Sequence, residues 1–439
     1  MLPDAQNLLE FLNQAKSPYH ASQQVTLALK RAGYEELDER ARWRAEPGLR
    51  AFVQRAGASV VAFELGRHPP AESGFLIVGA HTDSPNLRVK PNYHAQGAGV
   101  ASLSIEPYGG LLLHTWLDRS LCLSGRIVTT SGDVHLVDID RPVVTIPSLA
   151  IHLQRDVNTQ GLIINPQQHL RPLIGLEPEG SAHDRLRELL LEALSEQGLS
   201  LESPDISAFD LCLRDAVEAR FEGSSGDFVA SGRIDNLVSC FAAERALLEA
   251  GPVGDASRVL VLYDHEEVGS RSFSGAQSTL LGHVLDRLAQ RMSPNDPEAV
   301  HRAMAASLLL SADMAHAVHP NFQDKHDELH RPLLGAGPVL KSNANQSYAT
   351  DAISAAALIA AAARANLLLQ RFVTRNDMPC GSTIGPMAAA RQGIRTVDVG
   401  NPMLAMHSCR ELCASADIAP YVKLLTEWYR TETLHRPHA

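Results

Sequence analysis

Helical period opens the chain. The segment MLPDAQNLLEFLNQAKSPYH reads as a capped amphipathic helix, and SPYHASQQVTLALKRAGYEEL as a second, entered near Ser17-Pro18 and ended near Gly33. The pattern then changes to runs. GLRAFVQRAGASVVAFEL predicts two strands around a turn from Arg55 to Ala58, and GFLIVGAHTDSP a continuous apolar strand ending in His81-Thr82-Asp83. Such unbroken apolar strands suit a parallel sheet covered on both faces. After about Pro91 the texture is short and alternating through Leu153, with a turn at Ser131-Gly132-Asp133, which predicts a β-rich insert. HDRLRELLLEALSEQG is an amphipathic helix within it, FDLCLRDAVEARFEG is strand-like again, and the insert ends near Gly226.

From ASGRIDNLVSCFAAERALLEAG the α/β rhythm returns. A helix leads to a strand over Val259–Tyr263, then come helices in STLLGHVLDRLAQRM and DPEAVHRAMAAS, and the strand LLLSADM ends at Asp313. The Ala-rich helix DAISAAALIAAAARANL precedes RTVDVGNPMLAMHS, which puts His407 just past a strand. The expected fold is α/β: a mostly parallel central sheet flanked by helices, made of residues 1–91 and 227–439 and split by a β-rich domain over 92–226.

Composition narrows the class. A chain of 439 residues with 45% hydrophobic and 20% charged residues buries a large core and divides into two domains. A net charge of -11 argues against nucleic acid as a partner. The opening segment lacks the basic and apolar regions of a secretion signal, and no apolar run is long enough to span a membrane. The cysteines Cys122, Cys212, Cys240, Cys380, Cys409 and Cys413 form no Cys-x-x-Cys pair, so a reduced, cytoplasmic compartment is expected.

The candidate chemistry gathers at strand ends. His81 and Asp83, Glu266 and Glu267, Asp313, and His407 each follow an apolar run, and Asp235 lies at a turn before a helix. Open α/β sheets bind ligands beyond the carboxyl ends of their strands. Histidines and carboxylates without thiolates suit zinc, manganese or cobalt. Neighbours on an extended strand point in opposite directions. Of Glu266 and Glu267, therefore, one ligates an ion while the other handles a proton. Asp83, two residues from His81, is placed to orient that imidazole. CGSTIGP lacks the spacing and lysine of a phosphate loop and reads as a tight turn near the site.

The stretches VGAHTDSP, SGRIDNLVS, YDHEEVGS, SADMAHAVHPNF and AMHSCRE resemble the motifs of aspartyl aminopeptidases, in the same order and over almost the whole chain. The resemblance implies a zinc-exopeptidase-like fold and two divalent ions, zinc foremost with manganese or cobalt as alternatives. It places His81 and Asp313 on different ions with Asp235 bridging, Glu267 and His407 completing the ligands, and Glu266 as general base. It implies peptide substrates with an acidic N-terminal residue. Lys341, Tyr348 and His319, in the segment after Asp313, shape the substrate pocket. His152, by itself a strand histidine, is placed near a catalytic site as a metal ligand or, preferably, as a donor to the oxyanion. The family's large homo-oligomers imply a dodecamer built from dimers, with the insert making the dimer contact. The rival readings are a two-metal aminopeptidase for other N-terminal residues and a non-catalytic, metal-bound assembly or trafficking protein.

Overall fold

The computed structural model describes residues 3–176, 182–199, 202 and 205–431. Among them three sheets organise the chain. The largest has nine strands in the spatial order Glu35–Glu36, Arg50–Arg55, Ser59–Glu64, Ser257–Tyr263, Phe75–His81, Leu308–Ala312, Arg395–Gly400, Val339–Lys341 and Gln370–Phe372. The four strands from Ser257–Tyr263 to Arg395–Gly400 run parallel. On either side of them, Ser59–Glu64 and Val339–Lys341 join antiparallel.

The apolar runs explain why this sheet is central. Leu76, Val78, Leu260, Leu262, Leu310 and Ala312 face one core. Phe75, Ile77, Val259, Val261 and Leu309 face the other. Helices Pro3–Gln14, Pro18–Arg31, Ile234–Glu249 and Ile418–Tyr429 cover the first face, and Leu280–Met292 and Ala299–Ala305 the second. Each fully buried aliphatic side chain contributes about 1.5–3 kcal/mol of transfer free energy, so a strand apolar on both faces is favoured only in this middle layer. Helix boundaries follow local chemistry: Ser17 accepts from the His20 N–H ahead of Pro18, and Asp351 and Ser354 form a capping box.

A second, antiparallel sheet of six strands forms the insert, in the order Val134–Val144, Leu121–Thr129, Ile206–Asp215, Asn86–Gly97, Val100–Tyr108 and Leu173–Leu176. Helix Ala182–Glu196 packs Leu186, Leu190 and Leu194 against it. Sheet membership does not coincide with the expected limits of the insert. Residues 86–91, grouped from the sequence with the flanking part, begin a strand of this second sheet. Arg220–Glu222, grouped with the insert, instead pairs with Phe228–Ser231 in a third sheet. Polarity shows that a strand forms; only its partner shows which sheet it joins.

The third sheet has five strands, in the order Arg220–Glu222, Phe228–Ser231, Glu411–Ala414, Pro402–Leu404 and Ala315–His316. RTVDVGNPMLAMHS holds two strands: Arg395–Gly400 belongs to the large sheet, and after Asn401 the chain crosses to Pro402–Leu404, the strand that His407 follows. A Cβ on Gly400 would fall 1.8 Å from the Asp313 carbonyl oxygen, so the crossing needs glycine there. No helix among the described residues is long and apolar enough to cross a membrane.

Candidate metal centre

Two sheets converge on one buried cluster. The large sheet delivers His81 at the end of Phe75–His81, Glu266 and Glu267 beyond Ser257–Tyr263, and Asp313 beyond Leu308–Ala312. Register sets their level, since Tyr263 pairs with His81 and Ser311 with Gly79. The third sheet delivers the other two: Asp235 lies beyond Phe228–Ser231 and His407 beyond Pro402–Leu404. The loops that carry them use left-handed backbone at non-glycine residues, namely Arg233, His265, Ala405 and His407. Each such residue costs about 1–3 kcal/mol and persists where its surroundings hold it.

The ligand atoms lie close together. His81 Nε2 is 3.5 Å from both Asp235 Oδ1 and Asp313 Oδ1. His407 Nε2 is 3.5 Å from Asp235 Oδ2 and 3.4 Å from Glu267 Oε2. Among the described residues, the sets with metal-holding spacing are His81–Asp235–Asp313, Asp235–Glu267–His407 and His81–Glu266–Glu267. Asp235 belongs to two of them, one oxygen toward each histidine.

Glu266 and Glu267 are not on an extended strand. They sit in a single 3-10 turn, Glu266–Val268, entered through left-handed His265. Alternation along a strand therefore does not separate them. Their carboxylates differ in surroundings instead: Glu267 Oε2 faces His407 Nε2, whereas Glu266 Oε2 is 4.0 Å from His81 Nε2.

Asp83 is buried in the cluster beside His81 and has further partners. Nδ1 of His81 meets the backbone carbonyl of Asp83 at 3.0 Å, and the nearer carboxylate oxygen is 3.5 Å away. The carboxylate accepts from the backbone N–H groups of Glu266 and Glu267, both at 3.1 Å, and from the Tyr108 hydroxyl at 2.6 Å. It holds the turn that carries the two glutamates. The insert also enters the site: the Gly110 carbonyl takes Nδ1 of His407 at 2.9 Å, and a Cβ on Gly109 would come within 3.1 Å of the Glu267 Cβ.

The electrostatics call for positive charge. Burial pushes the Glu266 carboxyl up to about 8, eased by His81 and reinforced by Asp313, Asp83 and Asp235. Burial also lifts Glu267 well above the carboxylate range, with Asp235 adding to the effect. For Asp235 the burial penalty is overcome by His407 and His81, which hold it below its ordinary value. His81 is drawn well above its usual value because the carboxylates of Asp235, Asp313 and Asp83 outweigh its burial. Among the described residues, Asp235 Oδ1 and Glu267 Oε1 are buried without a hydrogen-bond partner. Buried orphan acceptors are costly unless an ion or water meets them. The donor set, imidazole nitrogens with carboxylate oxygens, fits zinc.

Other candidates separate. Lys341 is only 1% exposed; its Nζ donates to the Met314 carbonyl at 3.1 Å, lies 3.5 Å from Asp313 Oδ2 and sits 5.0 Å from the centre of the Tyr348 ring. His319 Nδ1 accepts from the Asn321 N–H, and its ring meets Phe322. His152 is not on a strand. It lies exposed in the 3-10 turn Ile151–Leu153. CGSTIGP leads into helix Ile384–Gln392, where Thr383 caps the Gly385 N–H and donates to buried Asp398.

Sequence reading missed Tyr108, Gly110, Asn236, which donates to the Ala312 carbonyl, and Glu411, whose carboxylate accepts from Asp235 and His407. Asn236 lies in SGRIDNLVS and Glu411 in AMHSCRE; Tyr108 and Gly110 lie outside all five stretches.

Residues 11–429 match the family described as Aminopeptidase I zinc metalloprotease (M18). A protein of Stutzerimonas stutzeri named probable M18 family aminopeptidase 2 is 46% identical over 434 residues, covering 98% of each chain. A chain in the cryo-EM structure of the Ape4 and Nbr1 complex is 39% identical with a TM-score of 0.93, over 97% of this chain and 85% of that one. The S. cerevisiae mApe1 dodecamer is 27% identical with a TM-score of 0.84, over 98% and 96%. A buried histidine–carboxylate cluster on this fold, with those relatives along almost its full length, places the chain in the M18 family of zinc metallo-aminopeptidases.

Proposed function

We propose that the enzyme removes an acidic N-terminal residue, Asp or Glu, from peptides, using two zinc ions. The observation that carries this reading is the sharing of Asp235 between two ligand sets. His81 and Asp313 would hold one ion, Glu267 and His407 the other, and Asp235 both. Bound there, the ions supply Lewis acidity toward the attacking water and the scissile carbonyl.

The protein's own groups do the rest. Glu266 receives the proton of the attacking water and returns it to the leaving amine. Its carboxylate accepts no hydrogen bond from the described residues, which leaves it open to water. Burial raises its proton affinity, and cations beside it draw that affinity back down. Asp83 keeps the Glu266–Glu267 turn in place. Lys341 is the point charge for the substrate's side-chain carboxylate, with Tyr348 beside it.

The insert is proposed to serve a second copy of the chain. Leu149, Ile151, Leu153 and Ile163 are exposed around His152, and Ile163 is 84% exposed. Apolar side chains grouped this way are covered in an assembly. His152 would then act in the neighbouring subunit as an oxyanion donor, within a dodecamer such as the S. cerevisiae relative forms. Six free cysteines, five of them buried, agree with a cytoplasmic location.

The test is a rate panel on N-terminal Asp, Glu, Leu and Lys amides, with zinc measured on the same samples. Two zinc ions per subunit and faster cleavage of Asp and Glu are expected. Preference for Leu or Lys would overturn the specificity, and full activity with one ion would overturn the two-ion reading.

A further inference from the structure

Beyond these roles, and resting on that reading of Asp235 and His407 as ligands, we infer that Glu411 is a positioning residue that clamps both of them. Glu411 is buried at the head of strand Glu411–Ala414. Its Oε2 accepts the backbone N–H of Asp235 at 3.1 Å, and its Oε1 that of His407 at 2.7 Å. The same carboxylate thus grips the backbone of two side chains that face each other at 3.5 Å.

The sheet explains why this residue can do so. Strand Glu411–Ala414 lies between Phe228–Ser231 and Pro402–Leu404, with Glu411 opposite Ser231 and Leu412 opposite Leu404. The chain leaves the first neighbour toward Asp235 and the second toward His407. Both departures are tight. A Cβ on Gly232 would meet the Cys409 carbonyl oxygen at 2.8 Å, and Arg233, Ala405 and His407 have left-handed backbone. Asp235 stands in the first turn of helix Ile234–Glu249, where a backbone N–H has no partner within the helix, and His407 lies past the end of its strand, so neither N–H is met by the ladder. Glu411 is where those two donors end. A shift of either would change the spacing between Asp235 and His407, and with it the fit of an ion between them.

Glutamine at this position keeps one acceptor and turns an NH2 toward the other N–H. Aspartate keeps the charge but withdraws the carboxylate by one methylene. Glu411→Gln and Glu411→Asp are compared with Glu64→Gln, a change at a buried carboxylate opposite Arg258, at the end of strand Ser257–Tyr263 away from Glu266 and Glu267, that pairs with Arg258 and Tyr34. Zinc retained per subunit is measured across a series of chelator buffers, and thermal unfolding is measured in excess chelator. Glu411→Gln and Glu411→Asp should each weaken one zinc equivalent by about 10–100-fold, the range for groups that orient metal ligands. Glu64→Gln should lower the unfolding midpoint and leave zinc affinity unchanged. Wild-type zinc affinity in Glu411→Gln, or in Glu411→Asp, would overturn the clamp. Asp235→Asn and His407→Ala are measured alongside. If they too keep their zinc, the ligand reading itself fails; if they lose it while Glu411→Gln does not, only the clamp fails.

Discussion

Replacing Asp83 by asparagine tests how the catalytic turn is held. The wild-type carboxylate accepts from Glu266 N through Oδ1 and from Glu267 N and Tyr108 through Oδ2. Asparagine has one oxygen and one NH2. With the oxygen in the Oδ2 position it keeps two of these partners, and its NH2 then opposes the Glu266 N–H. The protein loses one hydrogen bond to a charged acceptor, about 1.5–3 kcal/mol, and the orphaned N–H is the same event seen from the donor. At about 1.4 kcal/mol per decade, this bounds the effect on ligand placement at roughly 10- to 150-fold. The placement of the His81 ring should be little affected, because its Nδ1 meets the backbone carbonyl of residue 83, although the carboxylate charge 3.5 Å away is lost. Zinc affinity by chelator competition, kcat, and unfolding of the zinc-free protein are the measurements. Asp83→Asn should bind zinc and turn over within that range below wild type. Tyr108→Phe, which leaves both N–H acceptors intact, should lose clearly less. Equal losses in the two variants, or zinc affinity within about threefold of wild type in Asp83→Asn, would refute the assignment of Asp83 to the turn.

Glu266→Gln should lower kcat by about 100-fold or more and keep its zinc, whereas Glu267→Gln should lose zinc; near-normal turnover in the first would remove Glu266 as base. Lys341→Ala should raise KM for Asp substrates more than for Leu substrates, and equal changes would take Lys341 out of the pocket. His152→Phe and Glu266→Ala subunits should each be nearly inactive, since a lost oxyanion donor typically costs about 10²–10³-fold; co-expressed, they should recover a sizeable fraction of activity, and mixed assemblies that stay inactive would place His152 outside its neighbour's site. Glu244, buried on helix Ile234–Glu249, has its carboxyl raised by burial from 4.5 to about 7. The folded state therefore holds this proton more tightly than the unfolded one. The stability it confers is complete below about pH 4.5 and lost as pH rises to 7, on the order of 3 kcal/mol. The difference between wild type and Glu244→Gln in urea unfolding should change across that window and be flat on either side; parallel curves would show that Glu244 is not desolvated.

Polarity along the chain sufficed for the layers of the large sheet and for grouping the candidate ligands. Apolar runs such as Phe75 to Ala80 and Val259 to Leu262 are buried on both faces, and that composition suits only the middle of an α/β stack. The carboxylates and histidines that end those runs could be grouped because open α/β sheets gather ligands beyond the carboxyl ends of their strands. What stayed hidden concerns pairing across distance. Asp235 and His407 come from a different sheet than His81 and Asp313, and a hydrophobic period does not record which strand lies beside which. The turn carrying Glu266 and Glu267 defeated the argument from strand alternation, because left-handed His265 ends the extended backbone before them. Tyr108, Gly110 and Glu411 were unreadable as site residues for the same reason. Tyr108 meets Asp83 25 positions away and Gly110 meets His407 297 away, while Glu411 joins His407, four positions away, to Asp235, 176 away. Burial is encoded locally, residue by residue; the partner of a buried polar group exists only once the chain has folded.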